Sequence, residues 1–424
     1  MKLTLENVRG FAGPHELSVK PLTVLVGENS SGKTTLLSAL FVALHPDFPT
    51  ADAFNRDPFE LGSYDTIATY RGGKFGRASS FSIGWESNPK EGYSVSSSFV
   101  NNLGTPRISA IEIVRGKDRI RCELSSQEWS IREGSKAPVT LQLPAGEKIA
   151  PSLNDLARLV FGQLRTERFK EDKIARINFE LFYELTAFGS RRRPRVTALA
   201  PLRTRPHRTY DKLIEEFKPE GDHVPLVLAR ALSSDAGADR ELASALEQFG
   251  KSAGLFTKLA VRRMGRQPSD PFQLRVKSAG PEANLVDVGY GVSQALPVIV
   301  DSFMASRGRV VLVQQPEVHL HPRAQAALGT FFCQLAKGGG KSFVIETHSD
   351  YLVDRIRLAV ANGVISANDV NIAFLQKDGL DVRIHQLMLD EMGNIVNPPE
   401  AYRAFFLEED MKLMFRGGVN ASDR

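Results

Sequence analysis

The sequence has 424 residues, 54 Lys+Arg against 49 Asp+Glu for a formal net charge of +5, and 42% hydrophobic residues. That size holds one large domain with an insertion or two ordinary domains, and the balance excludes disordered and fibrous classes. No apolar run nears the roughly 20 residues needed to span a bilayer. The alternating start MKLTLENVRGF does not resemble a signal peptide, and Cys122 and Cys333 form no CxxC, so a cytoplasmic protein with two buried thiols is expected.

In chain order, residues 2–8 and 15–20 alternate like the strands of a hairpin, and 22–26 (LTVLV) is the short apolar run of a buried central strand. Glycine and small polar residues occupy 27–32, and apolar residues at helical spacing follow at 34–44. Between 48 and 146, short alternating segments (SFSIGW, YSVSSSFV, RISAIEIV, RIRCEL, VTLQL) are separated by turn residues and predict an antiparallel β-lobe. The stripe at 151–190 reads as helix, without the heptads of a coiled coil. The last third returns to α/β alternation: strands at 309–313 and 341–346, each followed by a helix (323–335 and 350–362), then strands at 371–375 and 382–386. The expected organisation is a core split between 1–47 and 281–424, an inserted β-lobe at 48–150, and a helical and connecting segment at 151–280.

Residues 27–34, GENSSGKT, complete a GxxxxGK[ST] pattern between a predicted strand and a predicted helix. Glycines let successive backbone N–H groups converge on phosphate oxygens at a helix N-terminus. Gly27, Asn29, Ser30, Ser31, Gly32, Lys33, Thr34 and Thr35 are therefore the candidate ATP-binding residues, with Lys33 on the β- and γ-phosphates and Thr34 on Mg²⁺. Far downstream, the strand VVLV runs into Gln314-Gln315-Pro316-Glu317-Val318-His319-Leu320-His321. Such a strand ordinarily ends in two acids, one for the metal and one for the attacking water. Glu317, His319 and His321 have no further ligand cluster beside them and do not define a metal site.

These segments, together with VIETHSD at 344–350, resemble those of bacterial AAA-type ATPases related to RecF, SMC and OLD proteins. The resemblance covers most of the chain, including 200–203 (APLR), 208–210 (RTY) and 390–395 (DEMGNI) ahead of Phe405 and Phe406. It implies an α/β P-loop NTPase with an ABC-ATPase-type head, using ATP and Mg²⁺ and working as a homodimer with shared nucleotide sites. It also implies that Gly32, Lys33 and Thr34 hold the nucleotide and that His348 senses the γ-phosphate. The segment 287–294 (DVGYGVSQ) takes the place of the signature that completes the partner's site, reduced here to Gly291, Ser293 and Gln294.

The chain departs from the family at the acids. Gln314 stands where the metal-binding acid is expected and Gln315 where the catalytic glutamate is expected. Amides bring neither charge nor base. Glu317 supplying the carboxylate, Gln315 positioning the water, very slow hydrolysis, and a substitution introduced to trap nucleotide all remain open. Gln315, Glu317 and His348 are thus the catalytic candidates, and Thr34 with Gln314 the metal candidates.

For nucleic acid the candidates are Arg191, Arg192 and Arg193, then Arg203, Arg205 and Arg208, with Arg262, Arg263 and Arg266 as a further cluster. Three functions follow: an ATPase dimer acting on double-stranded DNA or a separate effector protein, a nucleotide-gated scaffold with negligible hydrolysis, and an OLD-type nuclease. The 76 residues after His348 are few for an added nuclease domain, and Asp378 and Asp381 read as a turn. By resemblance, phage defence or DNA repair is the expected setting.

Overall fold

The computed structural model describes residues 1–49, 51–87, 92–124, 128–135, 139–142, 193–211, 216–234, 236–267, 270–338, 340–404 and 411. The expected helical stripe at 151–190, Arg191, Arg192, Phe405 and Phe406 lie outside them.

Strands β1 (Lys2–Val8) and β2 (Phe11–Ser18) form the N-terminal hairpin, and β3 (Leu22–Gly27) leads into helix α1 (Lys33–Leu44). A short ladder of β4 (Asn55–Arg56) and β5 (Phe59–Glu60) precedes α2 (Tyr64–Ile67). Then come β6 (Ser80–Glu86), β7 (Tyr93–Asn102), β8 (Thr105–Arg115), β9 (Asp118–Leu124), β10 (Glu128–Glu133) and β11 (Val139–Gln142), each antiparallel to the next. β6 pairs with β1, so these strands extend the N-terminal hairpin into one eight-stranded sheet, ordered β11-β10-β9-β8-β7-β6-β1-β2. Tyr93, Val95 and Phe99 of β7 are buried between half-exposed serines, the alternation expected when only one face meets the core.

The described part of the connecting segment is less helical than its sequence suggests. It holds β12 (Val196–Leu199), α3 (Val224–Ala231), α4 (Gly237–Ala253), β13 (Lys258–Arg263) and β14 (Phe272–Lys277). With β15 (Ala283–Asn284), β13 and β14 make a three-stranded antiparallel sheet. β12 is four residues long, too short to register as a periodic signal, yet it joins the main parallel sheet.

That sheet gathers strands from both chain ends. After α5 (Tyr290–Met304) come β16 (Val310–Gln314), α6 (Pro322–Ala336), β17 (Ser342–Glu346), α7 (Asp350–Ala361), β18 (Val370–Asp378), β19 (Asp381–Leu389) and β20 (Ile395–Val396). The order is β12-β16-β17-β3-β18-β19-β20, parallel from β12 to β18 and antiparallel beyond. Buried on both faces, β3 and β16 need near-continuous apolar runs, and LTVLV and VVLV supply them.

Helix α1 lies between the two sheets, packing on β1 and β6 of one and on β3, β12, β16 and β17 of the other. Every residue of α1 except Thr34 is buried, which is why its sequence is apolar all round instead of striped. A second core on the opposite face of the parallel sheet is closed by α3, α4, α5, α6 and α7.

Candidate nucleotide site

The turn from β3 into α1 sets the site. Gly27 has φ +144° and Gly32 φ +94°, backbone that side chains rarely adopt. A Cβ on Gly27 would collide with the Leu375 carbonyl, and one on Gly32 would come within 2.8 Å of the Phe11 ring. Gly32 is also the N-cap of α1 and offers no side chain to cap it, so the first amides of the helix are left for an anion.

A cavity of about 740 Å³ opens over this turn, lined by 29–35 of the loop together with Gln315, Glu346 and His348. Its outer wall is Arg9, Tyr70, Arg71, Arg77 and Leu380, with Arg71 ion-paired to Asp381 and Arg77 over the Tyr70 ring at 4.9 Å. The structure thus brings Asn29, Ser30, Ser31, Gly32, Lys33, Thr34 and Thr35 together with Gln315 and His348, two of the three catalytic candidates.

Lys33 donates to the carbonyls of Gly27 and Glu28 at 2.9 and 2.7 Å. Burial lowers its ammonium pKa, while Glu346, Glu317 and Glu28 hold it up. The Thr34 hydroxyl lies 2.9 Å from both carboxylate oxygens of Glu346. Burial raises the Glu346 carboxyl, and the Thr34 hydrogen bond and Lys33 charge oppose that rise. His348 is partly desolvated and then repelled by Lys33, so its imidazole is held below its ordinary pKa.

The strand-end turn is built differently from its sequence reading. Gln315 carries φ +41°, a left-handed conformation uncommon outside glycine, at the point where β16 breaks away. Glu317 is turned inward: its Oε1 accepts the His348 N–H at 2.7 Å, and burial raises its carboxyl. Gln314 is buried, and its backbone carbonyl accepts from Arg203 at 3.0 Å. His321 caps α6 by accepting the Arg323 N–H at 3.3 Å.

Two of the nucleic-acid candidates turn their guanidinium groups onto backbone carbonyls. Arg203, 6% exposed, supports the carbonyls of Gln314 and Gln315, and burial lowers its pKa to about 10. Arg193 donates to the His45 carbonyl at 2.6 Å, stacks over Phe48, and is lowered to about 10 by the same cause. Arg205 is exposed, and Arg208 is exposed but paired with Asp287 at 2.5 Å.

In the signature-like segment the serine and glutamine face inward. Ser293 and Gln294 are 6% and 4% exposed, and the Ser293 hydroxyl donates to the Tyr290 carbonyl at 2.9 Å. The part facing outward is the start of α5, with Tyr290 at 53% exposure and Gly291 packed against the His319 carbonyl. Glu346 is the site residue that the sequence reading passed over. Its signal was present, an acid two residues before His348, but its contact with Thr34 arises only once β17 lies beside β3.

A parallel sheet with a phosphate loop at its centre, flanked by helices, defines a P-loop NTPase. More particularly, the chain belongs to the family described as "AAA domain, putative AbiEii toxin, Type IV TA system", whose profile matches residues 22–354. An "OLD nuclease" of Thermus scotoductus is 23% identical over 366 residues, spanning 80% of this chain and 57% of that protein. The chain thus matches little more than half of that relative's length. The SMC head domain from Thermotoga maritima is 12% identical with a TM-score of 0.37, covering 92% of this chain and 98% of that one. The Smc head with an extended coiled coil, bound to the C-terminal domain of ScpA from Pyrococcus furiosus, is 11% identical at a TM-score of 0.39, covering 97% and 98%. Among the described residues, no helix is long and apolar enough to cross a membrane.

Proposed function

We propose that this chain is an ATP-binding and ATP-hydrolysing head that dimerises on ATP and couples its nucleotide state to DNA or to a separate effector protein. The observation that carries the reading is the convergence of Lys33, Thr34, Glu346, Gln315 and His348 on one cavity at the N-terminus of α1. Lys33 and the loop amides take the β- and γ-phosphates, and His348 faces the γ-phosphate as a neutral hydrogen-bonding group. Gln315 orients the attacking water, a role open to an amide because it needs geometry more than basicity. The oxygen donors around Thr34 suit a hard divalent cation such as Mg²⁺, with Thr34 and the ends of β16 and β17 as its holders. When bound, Mg²⁺ supplies positive charge against the triphosphate.

The second half of each site comes from the partner subunit through the start of its α5, where Tyr290 and Gly291 present the helix N-terminus. Ser293 supports that turn from inside. Arg191, Arg192, Arg205 and the exposed face near Arg208 are the candidates for DNA. Phage defence or repair beside an effector is the biological setting this reading favours, and cleavage of DNA belongs to that effector.

ATP turnover by the purified chain, with and without double-stranded DNA and with Lys33→Ala as the blank, tests the proposal. Turnover that disappears in the blank supports it; turnover that persists there removes the phosphate loop from the reaction. A specific observation favours one alternative, a scaffold with negligible hydrolysis: the strand end carries two amides, and Glu317 is committed to the His348 backbone. Tight ATP binding without turnover is the outcome that selects it.

A further inference from the structure

We propose that Glu346, at the end of β17, is the acidic residue of the Mg²⁺–nucleotide site in this chain, replacing the charge that Gln314 and Gln315 do not carry. The inference rests on ATP binding at the 27–34 loop and says which side chain organises the cation there.

The argument begins with register. In the parallel ladder, Gln314 of β16 stands directly beside Glu346 of β17, and Glu346 beside Leu25 of β3. The carboxylate therefore sits at the same height as the missing acid, one strand nearer the phosphate loop. Adjacent strands lie about 4.8 Å apart, so this shift is within the reach of a glutamate side chain. It ends with both carboxylate oxygens 2.9 Å from the Thr34 hydroxyl, the loop's own metal-facing group.

Charge supports the same assignment. Glu346 is 4% exposed, and a buried carboxylate is costly without a compensating cation. Its close partners are a hydroxyl and the Gln315 side chain; the Lys33 charge acts on it without a direct ion pair, the ammonium being hydrogen-bonded to the Gly27 and Glu28 carbonyls. A divalent cation arriving with the nucleotide matches that arrangement. Glu317 is a poorer candidate because its Oε1 is occupied by the His348 N–H. The Gln315 N–H donates to the Glu346 backbone carbonyl at 2.8 Å, so one residue of the amide pair holds the end of β17 in place instead of replacing its acid.

The test measures the metal separately from the nucleotide. A fluorescent ATP analogue is titrated onto the full chain in EDTA, and Mn²⁺ is then titrated onto the nucleotide complex and read by electron paramagnetic resonance. In Glu346→Gln, affinity in EDTA should be unchanged or tighter, because an anion beside the triphosphate has gone. Mn²⁺ should bind roughly tenfold or more weakly. The double variant Gln314→Glu with Glu346→Gln moves the charge back one strand and should recover part of that loss. Mn²⁺ affinity equal to the parent's in Glu346→Gln overturns the assignment. If that variant does not fold, Glu346→Asp is read instead: weaker Mn²⁺ binding supports the assignment and parental binding overturns it. A parent chain that binds no nucleotide in EDTA or with metal overturns the ATP-binding reading itself, a different failure.

Discussion

Arg203 and Arg193 were selected for their charge, and both spend it on backbone carbonyls inside the protein. Arg203→Ala should therefore act on stability, leaving the Gln314 and Gln315 carbonyls without their donor at a cost of about 1–3 kcal/mol. A urea unfolding midpoint measures that loss, and DNA affinity with its salt slope should stay unchanged. Asp301 makes a second buried case. The His223 ring accepts the Lys218 N–H through Nδ1, which places its proton on Nε2, 2.9 Å from Asp301 Oδ1, while Asp301 Oδ2 is buried without a partner. Burial raises the Asp301 carboxyl, so ionising it is harder in the folded chain than in the unfolded one. Its contribution to stability is full below the unfolded pKa and is lost as pH rises through the folded one. Asp301→Asn keeps the acceptor and removes the charge. Its melting temperature should exceed the parent's at pH 8, by roughly 1–3 °C, and the gain should shrink as the pH falls toward the unfolded carboxyl's range.

At the scale of elements, the phosphate turn was legible because its pattern is local: eight consecutive residues fix strand, turn and helix. The buried strands of the parallel sheet were legible for a similar reason, as apolar runs between turn signals. What stayed hidden was lateral. Val196–Leu199 acquires its place from β16, Glu346 from β3, and the strands after Phe48 their continuity with β1. None of these pairings leaves a mark in spacing along the chain. The serine of the signature-like turn shows the same limit: its spacing does not reveal that Ser293 bonds back to its own first turn. Gly32→Ala tests the turn itself. At φ +94° and 2.8 Å from Phe11, the added methyl should cost more than the roughly 1 kcal/mol of a strained glycine replacement. A lowered melting temperature together with lost nucleotide affinity is the expected pair of results.

For the whole molecule, the first core includes residues of both large sheets and of α1, and the second continues it across the parallel sheet, so the eight-stranded sheet has no interior separate from the rest. Thermal unfolding should then be a single transition that ATP with Mg²⁺ moves as a whole. At a hundredfold excess over the dissociation constant the gain is about 2.7 kcal/mol, read as one shifted calorimetric peak. Two separated peaks, of which nucleotide moves one, would contradict this. Dimerisation belongs to the same scale: Tyr290→Asp puts a negative charge at the outward start of α5 and should abolish ATP-dependent dimers in light scattering while leaving the monomer folded. The position of α1 has a mechanical consequence as well. A helix gripped on two sides behaves as a dowel, and sliding one sheet over the other would shear its packed side chains. The two sheets and α1 should therefore move together as one body.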